Sequence, residues 1–248
     1  MTERASARGD LGRGGALVDP RSTPPWLGPL VAASDHMESP SPTAGGGVAE
    51  SVRPAAVLVL FGEDGSPLGP GPDLLLLRRA DGLTHHPGQV GFPGGVAEEG
   101  DDGPVAVAIR EAEEEVGLQR AGVRPVALLP ELHIQRSKFR VTPVIAHWRQ
   151  PSPVRPVDLA ETSAVARVPV RYLADPANRF QVRHPSGYVG PAFAVPGMLV
   201  WGFTAGLISS LLSVGEWAEP WDATDIRDLA DAWQAVEAPA GAGGTVAE

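Results

Sequence analysis

The chain has 248 residues, a net charge of −10 and a pI near 5.1. Its length suits one large domain with tails, and its charge excludes a general nucleic-acid binder, which needs a basic face to displace counterions from phosphate. With no Cys, disulfides, thiolate ligands and a Cys nucleophile are ruled out, so any metal must rest on oxygen or imidazole.

Residues 1–48 are rich in Gly, Pro, Ser and Ala and read as a mostly disordered tail. Only PPWLGPLVAA at 24–33 has the pattern of a short amphipathic helix. The opening MTERASARGDLGRGG carries both signs of charge and no apolar run, so no secretory signal is expected and the cytoplasm is the default. AAVLVLF at 55–61 and DLLLLRR at 73–79 read as strands joined by a Gly- and Pro-rich turn, a hairpin. A Gly-rich loop at 87–95 leads to a helix in which Val105, Ala108, Ile109, Ala112 and Val116 form an apolar stripe and Gly117 marks the stop.

Strands are expected at 124–132, 139–148 and 164–173, followed by a hairpin over 179–195. Residues 187–215 carry no charge, long enough to raise a membrane span. The interruptions by Pro191, Pro196, Gly197, Gly202 and Gly206 favour a buried strand and a core helix near 199–213 instead. A last helix is expected at 222–236, anchored by Trp217, Trp221 and Trp233, and then a flexible tail. Strands outnumber helices without alternating with them, so the fold class is α+β with a mixed sheet.

The chemistry concentrates in DDGPVAVAIREAEEEVGL at 101–118. At about 100° per residue, Glu111, Glu114 and Glu115 share an arc of roughly 100°, with Glu113 turned away. Like charges at this spacing weaken a helix by a few tenths of a kcal/mol per pair, a cost that a bound cation removes. Hard divalent cations take oxygen ligands and are held by a few carboxylates together with substrate phosphates, so this face fits Mg²⁺ or Mn²⁺. No His-x-x-x-His spacing suggests zinc. His85 and His86 read as loop residues, Arg136, Lys138 and Arg140 as a solvated or phosphate-facing strand edge, and Glu161 as a weak candidate base.

FPGG at 92–95 followed by REAEEEVGL at 110–118 strongly resembles the Nudix hydrolase box. The resemblance implies an α/β/α sandwich around a central mixed β-sheet over 49–215, with 216–248 as a C-terminal helix and tail. It makes Glu111, Glu114 and Glu115 the metal ligands and catalytic acids, joined by the main-chain oxygen of Gly95. Arg110 braces the preceding loop through an upstream acid. Gly95 to Arg110 is one residue longer than the usual count, so either Asp101 or Asp102 fits the brace.

Residues 75–95 resemble the signature of the coenzyme A pyrophosphatase branch at Leu75, Leu76, Gly88, Phe92, Pro93, Gly94 and Gly95. They depart from it at Leu77 for Thr, Ala80 for Ser and Thr84 for Arg. The branch implies a small nucleotide substrate contacted by Arg78, Arg79, Gly88, Phe92, Pro93 and Gly94, with no nucleic-acid or membrane partner. The alternatives are another nucleoside diphosphate derivative or a non-catalytic nucleotide sensor. Oligomeric state, a homodimer included, is left open.

Overall fold

The computed structural model describes residues 14–37, 53–134 and 139–237. In chain order the strands are β1 Gly15–Ala16, β2 Arg53–Glu63, β3 Pro72–Arg79, β4 Val90–Gly91, β5 Gly94–Val96, β6 Val123–Leu128, β7 Leu132–Ile134, β8 Phe139–Trp148, β9 Thr162–Pro169, β10 Arg179–Arg183, β11 Val189–Val195, β12 Met198–Val200 and β13 Ile226–Asp228. The helices are α1 Gly28–Ala33, α2 Gly103–Val116, α3 Val170–Ala174, α4 Gly202–Val214 and α5 Leu229–Glu237. The fold class is α+β, as the order of elements predicts.

Two compact units interleave along the chain, one drawing on residues up to 61, 93–114 and 118–152, the other on 62–92, 115–117 and 153–248. The first unit is built on a mixed sheet. β2 and β8 pair in parallel from Arg53 opposite Phe139 to Phe61 opposite His147. β6 and β7 pair antiparallel with β8, and β5 with β2. Leu58, Val59, Leu60 and Phe61 are all fully buried, as are Val144, Ile145 and Ala146. Consecutive strand residues face opposite sides, so unbroken burial means that both faces of this parallel pair are covered.

β1, α1 and their connection lie within the segment expected to be a disordered tail. β1 pairs with β6, and Leu27, Leu30 and Val31 are fully buried. Apolar residues at helical spacing thus give residues 14–37 a fixed place, while residues 1–13 and 38–52 lie outside the described residues, as do 238–248 of the expected C-terminal tail.

In the second unit β3 pairs antiparallel with β9 and β4. A separate sheet has the order β12-β11-β10-β13. The hairpin expected over 179–195 is present as β10 and β11, from Arg179 opposite Phe193 to Arg183 opposite Val189. The core of this sheet joins Phe180, Val182, Ala192 and Leu199 to Ala232 of α5, with Trp201 and Trp233 packed against it. No helix among the described residues is long and apolar enough to cross a membrane; the uncharged stretch divides into β11, β12 and α4, as its Gly and Pro residues predict.

Two expectations need correction. The strand expected at 164–173 ends at Pro169 and turns into α3, Pro169 being the last extended residue before the helix. The helix expected from 222 begins only at Leu229, because Ile226–Asp228 is drawn out as β13 to pair in parallel with β10. Of the three Trp residues expected to anchor that helix, only Trp233 is on it. Trp221 lies instead against the guanidinium of Arg179 at 4.7 Å, a residue only 5% exposed whose guanidinium is also 5.3 Å from the Phe193 ring.

Asp73 is the electrostatic anchor of the second unit. Its carboxylate is fully buried, accepts from Nε and Nη2 of Arg167 at 2.8 Å each, and accepts the Gly65 N–H at 3.1 Å. Removing one partner leaves a buried charge without compensation. Asp73→Ala is expected to cost about 3 kcal/mol, read as a fall in the urea midpoint of the full-length protein.

Candidate active site

α2 is an amphipathic helix with Pro104 in its first turn, where the absent N–H costs nothing. Val107, Ala108, Ile109, Ala112 and Val116 are buried; Val105, expected in the stripe, is only half-buried, and Val107 takes its place. Gly117, at φ +67°, ends the helix as expected, and the Leu118 N–H returns to the Ala112 carbonyl.

Arg110 organises the polar side of this helix. Its Nε and Nη2 grip the carboxylate of Asp101 at 3.2 and 3.0 Å, and Nη2 also donates to the Val96 carbonyl at 3.1 Å. Its Nη1 donates to Glu111 at 3.0 Å and to Glu114 at 3.1 Å. Asp101 also accepts the Glu98 N–H at 2.9 Å, so a single guanidinium ties the loop from Val96 to Asp101 to the helix. Of the two candidate acids, Asp101 is the one that Arg110 bonds; Asp102 is solvent-exposed.

The electrostatics follow from these contacts. The bond from Arg110 holds the Asp101 carboxyl below the usual carboxylate range, helped by the Glu98 N–H, and Asp101 in turn strengthens the hold of Arg110 on its proton. Burial pushes the Glu111 carboxyl up; Arg110 opposes that shift, while Glu114 and Glu98 add to it. Glu98 therefore belongs to this acidic neighbourhood although sequence reasoning passed over it. Its signal was present in the loop Glu98-Glu99-Gly100-Asp101, but it has no helical periodicity to place it.

Glu111 lies against the backbone of Gly95. A Cβ at position 95 would collide with the Glu111 carboxylate, so the loop and the helix meet only because residue 95 has no side chain. β5 holds Gly95 there by pairing it with Ala56, and the Leu58 N–H donates to the Pro93 carbonyl at 2.7 Å. Phe92 and Pro93 are buried, and Gly94 packs directly on Ala56 and Val57. These residues form the floor of the loop. Glu114 is exposed, and Glu115 occupies the last turn of α2, where its carbonyl accepts the Val157 N–H. Among the described residues no group of three acids or imidazoles converges tightly enough to enclose a metal by itself.

In the second unit, Arg78 donates to both oxygens of Asp81, to Ser163 Oγ and to Glu237. Gly88 is buried, and a Cβ there would come within 2.7 Å of the Trp233 ring and 2.8 Å of Asp81. The Nε of Arg79 is buried without a hydrogen-bond partner among the described residues. Leu77 and Ala80, two of the three departures from the coenzyme A signature, are buried, whereas Thr84, His85 and His86 are exposed. Arg140 pairs with Glu131 at 3.1 Å; Arg136 and Lys138 lie outside the described residues.

Residues 51–184 match the NUDIX domain family. The chain is also 36% identical over 154 residues to the uncharacterized Nudix hydrolase NudL of Escherichia coli (strain K12), an alignment that spans 59% of this chain and 77% of that protein. This chain belongs to the NUDIX family. It is a Nudix hydrolase, an enzyme acting on phosphoric anhydrides, here of nucleoside diphosphate derivatives.

The same relation, with equal identity and coverage, holds for NudL of Shigella boydii serotype 4. Among solved structures, this Nudix chain is similar to RenU, a Nudix hydrolase from M. smegmatis, with a TM-score of 0.39 and 26% identity over 50% of this chain and 74% of that one. It is also similar to a NUDIX hydrolase from Alicyclobacillus acidocaldarius, with a TM-score of 0.41 and 19% identity over 67% and 93%. Nudix hydrolases generally use divalent ions such as Mg²⁺ or Mn²⁺.

Because Arg110 reaches Asp101 and not Asp102, the two substitutions separate cleanly. Asp101→Asn is expected to lower hydrolysis about ten- to a hundred-fold, with Asp102→Asn close to wild type, when initial rates on one nucleotide substrate are compared.

Proposed function

We propose that this Nudix hydrolase cleaves the diphosphate of coenzyme A or its acyl derivatives, giving 3′,5′-ADP and 4′-phosphopantetheine or its acyl form. The observation that carries the reading is the contact of the Glu111 carboxylate with the Gly95 backbone, held by an arginine anchored on Asp101. Glu111, Glu114 and Glu115, with the main-chain oxygen of Gly95, are the proposed ligands of Mg²⁺ or Mn²⁺.

The donor set suits such an ion. It consists of hard oxygens, and burial together with Glu114 and Glu98 disfavours the charged form of Glu111, a cost that a bound cation would offset. An ion in an open half-shell of this kind completes its coordination with water and phosphate oxygens. When bound, the metal supplies charge neutralisation on the diphosphate and a lowered pKa for the attacking water. Arg110 holds Glu111 and Glu114 in place through its Nη1, and one glutamate of the face accepts the proton of the water. Gly95 keeps the loop close enough for a backbone oxygen to share the site.

The substrate class is supported by the match of Leu75, Leu76, Gly88 and Phe92 to Gly95 with the coenzyme A signature, and by the burial of Leu77 and Ala80. Because those two departures lie in the core, they change packing and not the surface offered to a ligand. Thr84 favours a second reading. It is exposed where the signature has Arg and cannot make that residue's bidentate phosphate contact, which suits ADP-ribose, a dinucleotide or a nucleoside triphosphate.

Release of 3′,5′-ADP from coenzyme A with Mg²⁺ or Mn²⁺, abolished by EDTA, is the expected result. Cleavage of ADP-ribose, NADH or dGTP alone would reassign the substrate. Glu111→Gln and Glu114→Gln are each expected to lower kcat at least about a hundred-fold without lowering the melting temperature. Activity that survives both changes together would end the proposed role of this face.

A further inference from the structure

Arg78 and Trp233 direct two N–H donors at a single oxygen. Glu237 Oε1 accepts from Arg78 Nη2 at 3.0 Å and from the Trp233 indole at 2.8 Å. Asp81 takes one hydrogen from each terminal nitrogen of the guanidinium, at 2.8 and 3.0 Å, and Ser163 Oγ takes the second of Nη1 at 3.1 Å. The remaining terminal hydrogen of Arg78 points to Glu237. The arginine is well buried, with its side chain 14% exposed, whereas Glu237 is 47% exposed at the end of α5. Two fixed donors therefore face one replaceable carboxylate.

We infer that Arg78 Nη2 and Trp233 Nε1 form a seat for a phosphate monoester, which the Glu237 carboxylate fills in the free protein and a nucleotide ligand takes by displacing it. A phosphate carries more charge and more acceptor oxygens than a carboxylate, and Arg and indole N–H groups both donate to it. Glu237 is the exposed member of its pair with Arg78, so water takes over its bonds when it leaves, and the pair is worth about a few-fold factor in an equilibrium constant. Asp81 is more exposed still, at 71%, but it grips the guanidinium with both oxygens, which makes it the harder of the two to displace; its charge opposes the phosphate but also fixes the orientation of Arg78.

Gly88 adds a second, independent constraint. The Trp233 ring fills the space its Cβ would occupy, so the loop from Asp81 to Gly88 and the indole donor are set against each other. The group that fits the seat is the phosphate monoester of a nucleotide.

The test is calorimetric titration of the full-length protein in EDTA with 3′-AMP, inorganic phosphate and adenosine. Glu237→Gln keeps the shape and the hydrogen-bond acceptor but removes the charge. It is expected to bind 3′-AMP and phosphate up to about five-fold more tightly than wild type, with adenosine unchanged. Adding Trp233→Phe, which keeps the ring and loses the donor, is expected to erase that gain. Equal or weaker 3′-AMP binding by Glu237→Gln, or an equal gain for adenosine, would overturn the seat. Coenzyme A cleavage is scored separately. The binding gain without cleavage would refute the substrate and keep the seat, and cleavage without the gain would refute the seat alone.

Discussion

Everything proposed for the acidic helix depends on one guanidinium. Arg110 bonds to a loop carboxylate, a loop carbonyl and two helix carboxylates, and a planar fork of five donors is the only side chain that can do this in fixed geometry. Without it, Glu111, whose side chain is largely removed from water, would face Glu114 and Glu98 with nothing to offset their repulsion. The same cation that opposes the upward push of burial on Glu111 also ties the helix to the loop that carries Gly95.

Glycine completes this arrangement by omission. The pairing of β5 with β2 presses the Phe92–Gly95 loop onto Ala56 and Val57, and Glu111 then reaches the backbone because position 95 has no Cβ. In the proposed metal site a carboxylate and a main-chain oxygen would share an ion, and the missing Cβ is what lets them approach. A metal held on the proposed acidic face would leave its remaining coordination to phosphate oxygens, which suits an enzyme whose substrate is an anhydride of phosphate.

The second unit solves a different problem, that of holding buried arginines. Arg167 has the buried carboxylate of Asp73, Arg78 has Asp81, Ser163 and Glu237, and Arg179 has two aromatic rings and the hydroxyl of Ser209. These are graded holds. The first joins two groups well removed from water, whereas the second includes an exposed carboxylate at the end of a helix. Where the partner is exposed, a competing anion can exchange with it; where it is buried, exchange would strand a charge.

Sequence by itself determined the α+β class, the acidic helix, its glutamate face and its glycine stop, because helical and strand periodicities are local properties that the neighbouring residues set among themselves. The family box was legible for the same reason, since its residues are close in the chain. The choice between Asp101 and Asp102 was not, because both spacings reach and only the path of the loop decides. Nor were the stretching of Ile226–Asp228 into a strand by β10, the packing of Trp221 on Arg179, or the clamp on Arg78, whose partners Asp81 and Glu237 lie 3 and 159 residues away. Those depend on which distant segments meet. That is settled by how the apolar faces pack, and no local pattern of residues records it.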